Sequence, residues 1–315
     1  MRRVQTAFIL SIMLILASAG ATGPAADKEY PFGRGGVRWI STQWLQDHLR
    51  DPNLTILDVQ PYVDDYFVEH IPRAVYFSDF TLRAPRGGMP VQYIPSDAIR
   101  LLFRRAGLDN DIPVVVYTAK GAYTGTGSGL GQTMMAYTLA RFGHNSVYVL
   151  DGGLDKWKQE GRPLTQEFPQ ISEGRFRPTI RDEYFVDMAQ LKEIKDRNDV
   201  ILVDARPAKA YQGEGPWIRN GHIPGAINLP WRSLMADSNP TLMKSDGQIG
   251  AILRGHSITP ERTLIIYCGT GREATDEFLL FKWYLGYPNV KLYEGSWTEW
   301  SAHPENPVVT GPNPR

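Results

Sequence analysis

Leu264-Ile265-Ile266-Tyr267-Cys268-Gly269-Thr270-Gly271-Arg272-Glu273 decides how this chain is read. The apolar, β-branched run before the cysteine predicts a buried strand. It ends at Cys268, the only cysteine in the sequence. Gly269 and Gly271 follow, so the backbone can curl tightly there and turn its N–H groups inward. Glu273 to Trp283 then reads as a helix, with acidic residues crowding its first turn as the helix dipole favours. The sulfur is therefore expected on a strand–loop–helix junction, facing main-chain donors. Such settings lower a cysteine pKa from about 8.5 to roughly 3.5–7.5, which predicts a thiolate nucleophile. The alternative is a buried, inert cysteine, but a packing residue needs no glycine loop behind it.

Composition bounds what that sulfur can do. The chain has 315 residues, enough for two domains with real cores, and its 34 basic and 34 acidic side chains balance. No basic excess draws nucleic acid or an anionic membrane surface. One cysteine excludes an intramolecular disulfide and a thiolate-based zinc site, and the six scattered histidines lack ligand spacing, so neither a metal nor another cofactor is expected. Residues 1–21 read as a signal peptide: Arg2 and Arg3, an apolar core from Ala7 to Ala17, then Ala19-Gly20-Ala21. That core is short for a membrane span of about 20 residues, so stable membrane insertion is not expected, with an uncleaved anchor as the alternative. Cleavage after Ala21 would remove two arginines and no acids, taking the net charge from 0 to −2. A periplasmic or secreted location follows, by the general or the twin-arginine route. An unpaired thiol there is exposed to oxidation, so its retention calls for a chemical reason.

Outward from the cysteine, the chain repeats itself. Leu57-Asp58 answers Val203-Asp204, and His70-Ile71-Pro72-Arg73-Ala74 answers His222-Ile223-Pro224-Gly225-Ala226. Val116-Tyr117-Thr118 answers Ile266-Tyr267-Cys268, and Asp151-Gly152 with Trp157 answers Glu294-Gly295 with Trp300. Strands are read at 54–59, 114–118, 147–150, 200–204, 263–267 and 290–293, with helices between them. Ser41 or Thr42, Ser96 and Asp187 are the candidate helix caps. The pattern predicts an α/β fold of two tandem domains, each a parallel sheet with helices on both faces. The expected divisions are a flexible lead-in at 22–36, a first domain at 37–164, a polar linker at 165–183, a second domain at 184–309 and a tail at 310–315.

At these residues the chain resembles the rhodanese superfamily, in its tandem-domain form of thiosulfate and 3-mercaptopyruvate sulfurtransferases, and within that group its secreted bacterial members. The Gly221–Ala226 run and a six-residue loop opening on cysteine are its markers, and Cys-Gly-Thr-Gly looks closer to the mercaptopyruvate type. The resemblance implies a cysteine-less, inactive first domain, consistent with Thr118 in the place of Cys268. It implies a second, catalytic domain in which Cys268 is the nucleophile and Gly269, Thr270, Gly271, Arg272 and Glu273 form the persulfide and substrate loop. It also implies a substrate arginine near Arg219. Two departures stand out. Ala210 occupies the position of another substrate arginine, and Arg272-Glu273 replaces small or apolar residues, so a dianion meets a carboxylate unless Arg272 offsets it.

The implied chemistry is transfer of a sulfane sulfur. Cys268 attacks the outer sulfur of thiosulfate or 3-mercaptopyruvate, and a thiol or cyanide acceptor, a protein thiol included, removes it from the persulfide. Loop amides can hold the persulfide without a metal. Thr270 can offer its hydroxyl to the sulfur or bond its own backbone. A cysteine phosphatase or arsenate reductase needs an arginine six places after the cysteine, where this chain has Ala274. His70 and His222 recur at equivalent places, which marks them as framework. The glycine-rich stretch 121–131 lacks the Gly-Lys-Ser/Thr ending of a P-loop and reads as a long, flexible relic over the cleft. Arg206 is expected in a local salt bridge, Asp58 and Asp204 as shared framework, and Trp217, Trp231 and Trp297 either at an apolar entrance or in the core. The non-enzyme alternative is a secreted module that binds sulfur species or oxyanions without turnover.

Overall fold

The computed structural model describes residues 29–315, so the expected signal peptide and residues 22–28 of the lead-in lie outside the described residues. The first half of the chain supplies β1 (Val37–Ile40), β2 (Thr55–Asp58), β3 (Val75–Tyr76), a hairpin of β4 (Arg83–Arg86) and β5 (Met89–Tyr93), then β6 (Val114–Tyr117) and β7 (Val147–Leu150). The second half supplies β8 (Phe185–Val186), β9 (Val200–Asp204), β10 (Ile227–Asn228), a hairpin of β11 (Met235–Ala236) and β12 (Asn239–Met243), then β13 (Thr263–Tyr267) and β14 (Val290–Tyr293). The sheets run β1-β7-β6-β2-β3 and β8-β14-β13-β9-β10, and every pairing within them is parallel. The halves are therefore the same fold, down to one detail: the Ile71 and Ile223 N–H groups donate to the Tyr117 and Tyr267 hydroxyls, each at 3.1 Å.

Alternation along the central strands shows why both runs are apolar throughout. Val114 and Val116 face one core cluster while Val115 and Tyr117 face another. Leu264, Ile266 and Cys268 likewise face one cluster, and Ile265 and Tyr267 another. Each sheet is thus covered on both faces, as parallel sheets require. One cluster is common to both halves, and the helix Leu130–Arg141 lies within it with every residue buried. Such a helix carries no polar stripe because it has no solvent side. It packs on the helix Glu273–Leu279, with Tyr137 edge-on to Phe278 at 5.0 Å.

Several expectations are corrected. Residues 30–36 are not a free lead-in: Phe32 pairs with Trp39 and packs on Tyr284, and Arg34 N–H donates to the Trp283 carbonyl. The linker belongs to the first half, where Phe176 is fully buried against Phe103 and Thr165 bridges to His70. The tail is held as well, by the Gly225 N–H on the Pro314 carbonyl. Ser41 and Asp187 cap their helices, but Ser96 is the first residue of its helix and caps nothing. The helix expected to reach Trp283 becomes a π-turn at Leu280–Tyr284. The edge strands β3, β8 and β10 have two residues each and the hairpins lie off the sheets, so no periodicity announces them.

Candidate active site

Cys268 follows β13, the strand between β9 and β14, at the end of the sheet where parallel folds gather their ligands. The next turn is built tightly around it. Gly271 has φ 79°, and a Cβ there would lie 2.8 Å from the Glu294 carbonyl oxygen. With that Cβ absent, the Gly271 N–H reaches the Cys268 Sγ at 3.1 Å, and the Thr270 and Ala274 amides favour charge on the sulfur. A Cβ on Gly269 would meet the Trp217 ring at 2.6 Å, so this position is a glycine because an indole lies on it. The outer wall of the loop is pinned too. Ser296 Oγ accepts from the Cys268 N–H at 3.2 Å, and the Thr298 hydroxyl donates to the Gly269 carbonyl at 2.7 Å. The expected nest of donors around the sulfur is present.

The ionisation expected of the sulfur is not. Cys268 has no exposed surface, and its thiol is pushed up to about 12 by burial first and the Glu273 charge second. The Ala274 and Thr270 N–H groups act the other way and are outweighed. In the resting structure Cys268 is therefore a neutral thiol. Burial penalises a sulfur anion more than the loop donors favour it.

The first half of the chain closes the loop from the other side. Arg83 of β4 donates to the Thr270 carbonyl, so Thr270 is engaged through its backbone. Arg272 binds Asp79 at 2.7 and 3.2 Å, reaches the Ser128 hydroxyl at 3.3 Å and stacks on Phe80. Its charge is thus committed between domains and does not offset Glu273. The glycine-rich stretch 121–131 is no flexible relic. Asp65 accepts from the Tyr123 and Thr124 N–H groups, both at 2.9 Å, and from the Thr124 hydroxyl at 2.7 Å.

Arg219, expected to hold substrate, does something else. Its guanidinium donates to the carbonyls of Trp300, Ser301, His303 and Asn306 and ties down the segment after the last helix. With Ala210 at the other expected place, neither position presents a cation to the loop. Arg206 was expected in a local salt bridge, and it makes one, donating to Asp204 at 2.6–3.1 Å. It lies between the Trp217 and Trp297 rings, 5.0 and 4.8 Å away, and its buried Nη1 has no partner among the described residues. Trp231 and Trp297 are core, while Trp217 alone is part of the site wall. His70 and His222 are stacked on Tyr66 and Tyr211, with both ring nitrogens against carbonyls, so neither is a base for the sulfur. No group of side chains among the described residues is arranged to hold a metal ion.

Sequence reasoning missed where the Glu273 side chain goes. Its carboxylate lies close enough to the sulfur for its charge to oppose ionisation of Cys268. Burial, then Asp204, holds this carboxyl above its ordinary value. The spacing of five residues was visible, but the direction of the side chain was not.

Comparisons with known proteins bear on the family and the fold. The family model for the rhodanese-like domain matches residues 41–160 and again 187–303. A Synechococcus elongatus protein provisionally named a thiosulfate sulfurtransferase is 36% identical, across 98% of this chain and 96% of its own length. The 3-mercaptopyruvate sulfurtransferase of Escherichia coli is 29% identical, across 86% of this chain and 97% of its own. The crystal structure of SseA, a 3-mercaptopyruvate sulfurtransferase from Escherichia coli, superposes with a TM-score of 0.72 at 28% identity, covering 82% of this chain and 98% of that one. Two family matches, one on each half, and relatives aligned from end to end lead to one conclusion: the chain belongs to the rhodanese-like family in its tandem form, among the sulfurtransferases.

Proposed function

We propose that this sulfurtransferase carries its sulfur on Cys268 as a persulfide. The observation behind this reading is the Gly271 N–H on Sγ at 3.1 Å, with the Thr270 and Ala274 amides favouring charge on the same sulfur. A sulfur bonded to Sγ extends the anion outward from the same donors, which stabilise it without a metal. The donor is thiosulfate or 3-mercaptopyruvate and the acceptor a thiol or cyanide. Arg272 and Arg219 are committed elsewhere and the Glu273 charge opposes an anion at the sulfur, so the less charged 3-mercaptopyruvate is favoured over the thiosulfate dianion. Intact mass after incubation with either donor tests the carrier. One added sulfur on the wild type, absent from Cys268→Ser and released by cyanide, is the expected result. Initial rates with the two donors test the preference.

The neutral, fully buried thiol favours a second reading, a binding module without turnover. If neither donor loads Cys268, that reading replaces the first. The export signal read at residues 1–21 would place the reaction in the periplasm or outside the cell. A mature N-terminus at Thr22 in the periplasmic fraction is the expected finding, and recovery of the uncleaved chain with membranes overturns it.

A further inference from the structure

The Gly271 N–H that reaches Sγ belongs to the peptide group joining Thr270 to Gly271. The carbonyl of that same peptide accepts from Arg83 Nη1, which arrives from β4 of the first half. One planar amide therefore stands between a cation and the sulfur, its oxygen on the guanidinium and its N–H on Sγ. A cation at the oxygen draws the amide electrons toward it and leaves the N–H a stronger donor.

The other charged groups at the loop are already neutralised or opposed to an anion. After β9, Arg206 stands on Asp204. Arg272, in the loop itself, stands on Asp79. Arg141, at the end of the buried helix of the first half, stands on Glu294 after β14. The helix beyond the loop carries Glu273, Asp276 and Glu277, and the Glu273 charge works against ionisation of the thiol. Arg83 differs from the other three arginines. It forms no ion pair among the described residues, and its hydrogen bond goes to the Thr270 carbonyl. With Tyr93, Gly271 and Glu294 it lines a small cavity between the halves. The repeat sharpens the contrast. Arg83 follows the 3-10 turn Asp79–Leu82, and Met235 follows the matching turn Trp231–Leu234. The half without a cysteine carries the cation, and the half with the cysteine has a thioether in that place.

We propose that Arg83 stabilises negative charge on the Cys268 sulfur through the Thr270–Gly271 peptide, so that the first domain tunes the nucleophile of the second. Its consequence for turnover rests on the sulfurtransferase reading above. The charge sits on Sγ in the thiolate and one atom further out in the persulfide. Arg83 acts on both through the amide that it holds and polarises, which makes it a positioning residue.

The full chain is compared with Arg83→Met, Arg83→Gln and Arg83→Lys. Alkylation of Cys268 by iodoacetamide, a neutral reagent, is followed against pH, and sulfur loading is measured at varied thiosulfate. Rates are read on protein that keeps the near-ultraviolet circular dichroism of the wild type. At pH values below the ionisation of Cys268 the alkylation rate follows the thiolate fraction. Expected for Arg83→Met is alkylation about tenfold slower at each such pH, a profile displaced upward by about one pH unit. Loading should show a lowered kcat at unchanged KM. Arg83→Gln, which keeps a donor without the charge, should match Arg83→Met and stands in if that variant does not fold. Arg83→Lys, which keeps the charge, should stay within about threefold of the wild type. Alkylation of Arg83→Met or Arg83→Gln as fast as the wild type, or faster, overturns the proposal, because the arginine then only pins the loop. A raised KM with unchanged alkylation also overturns it and makes Arg83 a contact for the donor anion. Alkylation needs no sulfur donor. A wild type that loads no sulfur therefore sinks the sulfurtransferase reading, while the alkylation profiles still decide the role of Arg83.

Discussion

Cys268 and Thr118 end equivalent strands, and two further exchanges accompany theirs. Arg206 pairs with Asp204 in the second half, whereas Gln60 serves Asp58 in the first. The Asp58 carboxylate, hydrogen-bonded but with no arginine on it, is pushed up to about 6 by burial, against the Tyr117 hydroxyl and the Gln60 donors. The copy without a reactive sulfur therefore also lacks the buried cation beside it. Gly271 is the residue on which the loop geometry turns, since an alanine there meets both a left-handed backbone and the Glu294 carbonyl oxygen. Gly271→Ala is expected to cost roughly 1–3 kcal/mol in urea unfolding and to abolish sulfur loading, because the N–H nearest Sγ is displaced. An alanine variant with unchanged loading would mean that this N–H does not hold the sulfur.

At the scale of one element, the helix Glu273–Leu279 carries its carboxyls into the core rather than into water. Asp276 is pushed up to about 7 by burial, offset by Arg232, and Glu277 is pushed well above its ordinary value by burial and by Asp276. Asp276 Oδ2 and both Glu277 carboxyl oxygens have no hydrogen-bond partner among the described residues. The folded chain therefore holds a proton on Asp276 that the unfolded chain releases near the ordinary aspartate value of about 3.9. The stability Asp276 contributes is complete below about pH 4 and is lost as pH rises through about 7. Melting temperatures are expected to fall between about pH 5 and pH 8 on its account. Asp276→Asn should gain on the wild type as pH rises over that window, and a gap that is independent of pH would refute the linkage.

At the scale of the molecule, the two domains share one core and a small number of buried charges lock them together. Arg141 holds Glu294 through Nε at 2.5 Å and Nη2 at 2.9 Å, and the Tyr137 hydroxyl adds a third bond at 2.8 Å. The guanidinium also stacks on Tyr93 and Phe185, one from each half. Removing one partner of a buried pair strands the other, which costs about 3–5 kcal/mol. Glu294→Gln is expected to destabilise by that order in urea. Because the Glu294 carbonyl backs Gly271, the variant should also slow loading. Separate unfolding of two domains in the wild type would contradict the shared core.

Much of this was legible in the residues. The repeat, the central strands and the strand–loop–helix junction at Cys268 could be read because apolar runs, turn glycines and matching motifs are local features. The edge strands of two residues carry too little pattern to be read, and the lead-in and linker looked free because their anchors, Trp283 and Phe142, lie far along the chain. The sequence determined by itself that a single sulfur would stand at the end of a central strand behind a glycine turn. Only the tertiary structure decided its ionisation and its surroundings. Complete burial outweighs the loop amides, Arg272 and Arg219 are drawn to remote partners, and the Glu273 charge opposes ionisation of the thiol. Those outcomes depend on desolvation and on contacts between distant residues, which no local pattern encodes.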